Sequence, residues 1–239
     1  MIKYDMFLKR ITQYNDNAGI INFDNRLYEF YNRALTDLDS LNLKPFTINE
    51  VNNFISNSSL LNDFLVSMDS FDTSILYKSD IHGYYHNVRV SLYAFIITTL
   101  ENISKSDFKI VMDATKYHDI GRSNDFEDKG HGKISSEKIS FLKDNYSQEE
   151  FNILKSIIEC HSLNDNMIEE IAIKNGVFDI ERCKKLLNIL KDSDGLDRVR
   201  LEYPYINIKF LRTLSAKKLV VYSFKIYNNF EKFVEVNNE

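Results

Sequence analysis

The sequence predicts an all-α protein, and three observations carry that prediction. Apolar residues recur at spacings of three and four along most of the 239 residues, which is the period of an amphipathic α-helix. Only 2 prolines and 7 glycines interrupt the chain, too few for the many turns of a β-sandwich. The composition, 44% hydrophobic and 27% charged, is that of an ordinary globular domain. We therefore expect a single all-α domain over residues 1–239.

The helices of the N-terminal part are predicted from apolar spacing and from one capping signal. Residues 27–38 form an amphipathic pattern, and residues 41–45 read as a connector. Thr47 and Glu50 form a capping-box pattern, a hydroxyl followed three residues later by a carboxylate, which starts the next helix. A further helix is expected over residues 60–68.

The remaining helices follow from the same periodicity. They are expected at about residues 81–100, 107–118, 134–144, 148–161, 180–198 and 215–233. Residues 121–132 form a polar loop between two of them. The β-branched pair Ile206 and Ile208 predicts one short strand in an otherwise helical chain.

Charge and cysteine content exclude several classes of protein. The 30 basic and 35 acidic residues give a net charge of −5, which argues against binding duplex nucleic acid through its phosphates. Cys160 and Cys183 are not spaced as a disulfide framework, as expected for a reducing compartment. The uncharged run over 90–100 is too short to span a bilayer, and charges near the start interrupt any secretory segment. We expect a cytoplasmic protein without a membrane segment.

The histidines fall within one third of the chain, and there we expect a functional site. The five are His82, His86, His118, His131 and His161. Histidine is the commonest metal ligand in proteins. His82 and His86 are four residues apart, so a helix would present both on one face. His118 and Asp119 stand at a helix end directly before Gly121, where both can point into a cleft.

Asp194 lies where the apolar stripe of the helix over 180–198 predicts a buried residue. An ionised carboxylate in such a position is costly unless a cation meets it. A divalent metal would meet it, and so would Arg89 or Arg198. Together the four residues His86, His118, Asp119 and Asp194 offer two nitrogen and two oxygen ligands. This mixed set suits Mn²⁺, Fe, Zn²⁺ or Ni²⁺ better than Mg²⁺.

The order of these residues resembles the HD superfamily of metal-dependent phosphohydrolases. That family is defined by a His, a distant His-Asp pair and a further distant Asp. The matching stretches are His86-Asn-Val-Arg89, His118-Asp119-Ile-Gly-Arg122 and Lys191-Asp-Ser-Asp-Gly-Leu-Asp-Arg198. The resemblance covers an HD core of about residues 79–200, and leaves an N-terminal helical extension, 1–78, and a C-terminal helical tail, 201–239, outside it.

The resemblance implies a compact helical core with a bound divalent metal: one ion or two, of Mn, Fe, Ni, Zn or Mg. It also implies the metal ligands, which would be His86, His118, Asp119 and Asp194. Asp192 is the alternative for the last position, but it does not continue the apolar stripe. The other interpretation of the four residues is a structural His/Asp network without metal.

In the hypothesis of an HD-type hydrolase, the residues that act in catalysis would be Asp119, His131, His161, Arg89 and Arg122. Asp119 would position the attacking water. His131 and His161 stand where many relatives carry extra histidines, and would hold a second ion, contact the phosphate or protonate the leaving oxygen. Their alternatives are a solvated loop histidine and a helix-capping histidine.

The arginines have two interpretations. Arg89 and Arg122 would bind phosphoryl oxygens, since a guanidinium matches them with two parallel hydrogen bonds. For Arg89 the alternative is an ion pair with Asp194 or Asp197. Asp197 is expected to orient a ligand histidine or Arg198.

The function implied is hydrolysis of a phosphomonoester, phosphodiester or nucleotide phosphate by a water that the metal activates. The alternative is a catalytically silent nucleotide-sensing or protein-interaction module on the same scaffold. The expected partner is a small phosphorylated, nucleotide-like substrate, and the N-terminal helices could form a homodimer face.

Overall fold

The structure, a computed structural model, describes residues 3–14 and 23–234. Within these residues the chain forms eleven α-helices and five short 3-10 helices and has no β-strand. The predicted all-α fold is confirmed. Residues 1–2, 15–22 and 235–239 of the predicted domain lie outside the described ranges. None of the described helices is both long enough and apolar enough to cross a lipid bilayer.

The helices have the following bounds, in chain order. The α-helices are α1 Tyr4–Gln13, α2 Asn25–Ser40, α3 Ile48–Ser56, α4 Leu61–Asp69, α5 Tyr84–Leu100, α6 Lys105–Tyr117, α7 His131–Lys138, α8 Gln148–Cys160, α9 Ile168–Lys174, α10 Ile180–Leu196 and α11 Leu214–Val234. The 3-10 helices are Thr73–Ile75, Ile139–Asn145, Asp165–Met167, Asp197–Arg200 and Ile208–Phe210.

Capping side chains fix where two of these helices begin. The predicted capping box is present at α3, where Thr47 N donates to Glu50 Oε2 at 2.7 Å and Glu50 N donates back to Thr47 Oγ1 at 3.2 Å. Ser147 and Glu150 form the same pair at the start of α8. Each box satisfies backbone N–H groups that have no partner inside the helix.

Helix α5 lies at the centre of the fold. Of its 17 residues, 13 are buried, including His86 and Arg89. It packs against α6 and α10, and also against α3 and α11. A helix that is covered on all sides presents its polar side chains to other protein groups instead of to water. This burial places His86 and Arg89 among fixed partners.

The N-terminal and C-terminal helices pack onto this centre. Helix α11 contacts α1, α2, α5 and α10. The rings of Phe7 in α1 and Phe230 in α11 meet edge to face, with centroids 5.8 Å apart. The buried apolar residues form one cluster that extends from Tyr4 to Phe233. The regions outside the HD resemblance therefore share their core with the region inside it.

Two local predictions were wrong. The expected strand at Ile206 and Ile208 is absent, because Asn207 accepts a hydrogen bond from Lys209 N at 3.1 Å and turns the chain into a 3-10 helix. His82 does not share a helix face with His86, since α5 begins only at Tyr84. Helices α1 and α9 were not predicted, and the helix expected over 134–144 is α7 followed by a 3-10 segment.

A glycine allows α7 to approach α8 closely. A Cβ on Gly132 would lie 2.8 Å from the carbonyl oxygen of Ile158, closer than side chains come to a backbone. The absence of a side chain there lets the first turn of α7 rest on the last turn of α8. This contact sets His131 opposite His161.

We expect Gly132→Ala to lower the free energy of unfolding by about 1–3 kcal/mol, because the added methyl group must displace the backbone of α8. Chemical denaturation measures this. Gly195→Ala is the matched control, since its Cβ would meet only Leu211 Cδ2 at 3.4 Å, an ordinary contact. The control should be neutral or slightly stabilising. Equal stability of the two variants would contradict the close packing.

Candidate metal centre

Six side chains that the sequence singles out come from the ends of five helices. They are His86 in the first turn of α5, His118 and Asp119 at the end of α6, His131 at the start of α7, His161 at the end of α8 and Asp194 in the last turn of α10. Helix ends suit this purpose because the chain changes direction there. Side chains from separate helices can then converge on one point.

The first cluster consists of His86, His118 and Asp119, all buried. His86 Nε2 lies 3.3 Å from His118 Nε2, and both nitrogens lie 3.6 Å from Asp119 Oδ2. Two atoms bound to one ion at about 2.1 Å are roughly 3.0–3.4 Å apart in octahedral or tetrahedral coordination. The three atoms therefore have about the spacing of ligands to a single ion.

The second cluster uses the other oxygen of the same carboxylate. Asp119 Oδ1 lies 3.0 Å from His131 Nε2 and 3.5 Å from His161 Nε2, and the two nitrogens are 2.8 Å apart. All three residues are buried. Each cluster could hold a metal ion, and Asp119 would then bridge the two ions.

The histidine rings present lone pairs to the clusters. Each ring bonds to an oxygen through its Nδ1: His118 to Thr115 O at 2.8 Å, His161 to Ile158 O at 2.7 Å, His86 to Asp197 Oδ2 at 2.7 Å, and His131 to Asp128 O. Carbonyl and carboxylate oxygens only accept hydrogen bonds, so Nδ1 carries the proton. In a neutral ring Nε2 then carries a free lone pair, as it does in histidines that bind a metal through this atom.

Asp119 Oδ1 indicates whether a cation would fit between these residues. This oxygen is buried and accepts no hydrogen bond. Arg122 Nε forms an ion pair with it at 3.1 Å, but neither atom takes part in a hydrogen bond. Leaving a buried acceptor without a donor costs about 1–3 kcal/mol. Burial also lowers the pKa of His118 to about 3, so that ring carries no charge near neutral pH. A divalent ion satisfies both the carboxylate and the lone pairs, so these residues fit one.

Asp194 lies at the edge of the first cluster. Its Oδ1 is 3.5 Å from His86 Nε2, and its side chain is 36% exposed. Asp192, the alternative, is fully buried and accepts hydrogen bonds from Arg212 N at 2.9 Å and Thr213 N at 2.7 Å. The structure therefore brings Asp194 to the cluster and uses Asp192 to hold the chain before α11.

Asp197 binds the His86 ring through Nδ1, the nitrogen that does not belong to the first cluster. Its carboxylate accepts from His86 Nδ1 and from Arg89, whose Nε donates at 2.6 Å. Burial raises the pKa of Asp197, but the Arg89 charge and the other contacts more than offset this and hold it below its usual value. Arg89 therefore forms an ion pair with Asp197, which was the alternative to a phosphate contact. Asp197 and the His86 ring separate it from the clusters, so this geometry gives no support to a phosphate contact by Arg89.

Arg122 lies beside the second cluster. Besides its ion pair with Asp119, its Nη1 donates to Phe126 O at 3.3 Å. His82 is not part of either cluster, because its Nδ1 pairs with Asp125 Oδ1 at 2.9 Å. Of the two arginines with an expected phosphate contact, Arg122 is therefore the one placed at the centre.

A cleft of about 220 Å³ opens beside the clusters. His161 and Asp194 belong to its wall, together with residues of α10, of the 3-10 segment after it, and of the chain over 206–212. Small molecules in this cleft would therefore lie next to both clusters.

The comparisons with known proteins do not extend this picture. No protein-family model, curated protein or solved structure is similar enough to this chain to count as a match. The chemistry of the centre is therefore inferred from its own geometry and from the motif resemblance.

The sequence analysis predicted Asp197 as a residue that orients a ligand histidine, but it did not predict the backbone carbonyls that orient the other three rings. The carbonyls of Thr115, Asp128 and Ile158 each stand three residues before the histidine that they bind. Backbone carbonyls carry no sequence signal. The nearest indication is the position of His118 and His161 directly after a helix, where a ring can fold back onto a carbonyl of the last turn.

Metal stoichiometry is the direct measurement of this centre. We expect the protein to bind two equivalents of Mn²⁺ or Zn²⁺, and His131→Ala to retain one. Asp119→Asn should reduce occupancy of both sites, because each oxygen of this carboxylate faces one cluster. Equilibrium dialysis with elemental analysis gives the count. Asp144→Asn, an exposed aspartate, is the control and should bind as the unmodified chain does. Undiminished binding by Asp119→Asn would refute the bridging arrangement.

Proposed function

We propose that this chain is a metal-dependent phosphohydrolase of HD type that acts on a small phosphorylated, nucleotide-like substrate. The observation that carries the proposal is the buried Asp119 carboxylate, whose two oxygens face two clusters of histidine lone pairs beside an open cleft. Phosphoryl transfer needs positive charge and an activated water in a fixed position. The order of the motifs along the chain supports the HD assignment.

The first ion would be held by His86, His118 and Asp119, with Asp194 at the edge, and the second by Asp119, His131 and His161. Bound there, a divalent ion supplies a water of lowered pKa and polarises the phosphoryl group. Asp194 is the exposed member of the set and faces the cleft from which a substrate enters.

The chain's own residues then orient the reaction. Asp197 fixes the His86 ring, and the backbone carbonyls fix the other three rings. The guanidinium of Arg122 lies next to Asp119. There it would balance the negative charge on the phosphoryl oxygens of the substrate. Since His131 and His161 present lone pairs from Nε2, they serve as ligands in this proposal and not as the acid that protonates the leaving oxygen.

We expect the Mn²⁺-loaded protein to hydrolyse p-nitrophenyl phosphate or its bis-ester. Asp119→Asn should lower kcat by about 100-fold or more, because it weakens the binding of both metal ions. Asp144→Asn, which changes an exposed carboxylate that belongs to neither cluster, should keep the rate. Release of p-nitrophenol is the measurement.

The alternative, a silent sensing module, gives a different result in the same experiment. A protein that contains no transition metal after purification from metal-supplied cultures, hydrolyses neither ester and still binds nucleotide would refute the enzyme. Undiminished turnover by Asp119→Asn would instead place the activity outside this centre.

A further inference from the structure

We propose that the cleft beside the centre is a subsite for a second phosphate group of the substrate and that Arg198 binds it. The substrate class is then an organic diphosphate that carries a flat ring, such as a nucleoside diphosphate. This inference rests on the proposed function, because the reacting phosphate must lie at the two clusters for the second phosphate to reach the cleft.

The position and size of the cleft favour one additional group. It shares His161 and Asp194 with the centre, so a group bound in it lies next to the reacting phosphate. Its volume of about 220 Å³ is below the roughly 300–1,000 Å³ of sites that enclose a drug-sized ligand. A phosphate with part of a sugar fits this space, while the remainder of the molecule extends over the rim.

One cation of the cleft has no ion-pair partner among the described residues, and it shares the wall with the Asp194 carboxylate. Three cations line it: Lys191, Arg198 and Arg212. Lys191 and Arg212 are engaged by Asp165, at 2.6 and 2.8 Å, and Arg212 also pairs with Asp192 at 3.2 Å. Arg198 is exposed, and its side chain forms no hydrogen bond or ion pair with the described residues.

Neither of the two carboxylates near Arg198 in the chain forms an ion pair with it. Asp194 lies against His86 Nε2 at 3.5 Å, and Asp197 is fully buried between His86 and Arg89. A guanidinium without an internal partner, on the wall of a cleft, is suited to the planar two-point contact that phosphate offers.

The uncharged residues of the cleft suit the rest of such a molecule. Asn207 uses its Oδ1 to accept from Lys209 N, which leaves its amide N–H groups to donate. Phe210 is 73% exposed although it is a large apolar side chain. An exposed ring at the wall of a cleft can stack on a nucleobase, a contact worth about 1–3 kcal/mol.

The reaction of such a substrate is balanced without a further reactant. The oxygen of water forms a bond to the terminal phosphorus, and the bond from that phosphorus to the bridging oxygen breaks. The electron pair remains on the bridging oxygen, which stays on the phosphate at Arg198, and one proton passes to solvent. The products are a nucleoside monophosphate and inorganic phosphate, and Arg198 balances the charge that develops on the leaving group.

The test compares a diphosphate with a monophosphate on the Mn²⁺-loaded full chain. Arg198→Ala should lower kcat/KM for adenosine diphosphate by about 10–100-fold, the worth of a hydrogen bond to a charged group. Its kcat/KM for p-nitrophenyl phosphate should change by less than about threefold, because that substrate has no second phosphate. Lys209→Ala removes an exposed cation of the 3-10 helix Ile208–Phe210 that does not line the cleft, and it should change neither value. Arg198→Lys should restore part of the loss.

The outcomes separate this inference from the proposed function. Equal losses on both substrates, or a chain that hydrolyses the aryl ester but not the diphosphate, would overturn the subsite and leave the hydrolase standing. If neither compound is hydrolysed, the proposed function fails, and calorimetry with α,β-methylene adenosine diphosphate decides the subsite. Binding weakened about 10-fold by Arg198→Ala supports it, and unchanged binding overturns it.

Discussion

The carboxylate of Asp119 is the group around which the helices of this protein are arranged. It is buried, one of its oxygens accepts no hydrogen bond, and four imidazoles turn their Nε2 atoms towards it. Each imidazole has its other nitrogen committed to an oxygen. Lone pairs and a carboxylate at such distances repel one another unless a cation lies between them. The fold therefore holds two clusters of side chains that could bind a metal ion.

Helix ends are the means by which the fold builds this site. His118 and His161 each occupy the residue directly after a helix, and each ring returns to a carbonyl of the last turn. His131 begins its helix and reaches that position because Gly132 rests against the carbonyl of Ile158. Rings fixed in this way lose little freedom when they bind an ion, which favours binding.

The sequence predicts the helices well because apolar spacing is a local property. The same spacing predicts a buried Asp194, and this was wrong, since its side chain is 36% exposed and Asp192 is the fully buried one. The sequence does not predict which residues the polar side chains contact in the folded protein. Arg89 contacts Asp197 because α5 is covered on every side, a fact of packing that no local pattern contains. His82 leaves the face of His86 because the backbone turns at Gly83, where a Cβ would lie 2.0 Å from Ser79 O.

Two aspartates at the end of α10, Asp194 and Asp197, have different partners. Asp194 lies in the last turn of α10, and the backbone N–H of Asp197 bonds to its carbonyl oxygen. Both carboxylates approach the His86 ring, Asp194 at Nε2 and Asp197 at Nδ1. Arg89 and Arg200 lie within 2.6 and 3.5 Å of the Asp197 carboxylate, which neutralises the inner member of the pair. Asp194 has no arginine or lysine partner among the described residues. A carboxylate beside a histidine Nε2, without an arginine or lysine partner of its own, is compatible with a metal ion at this edge of the first cluster.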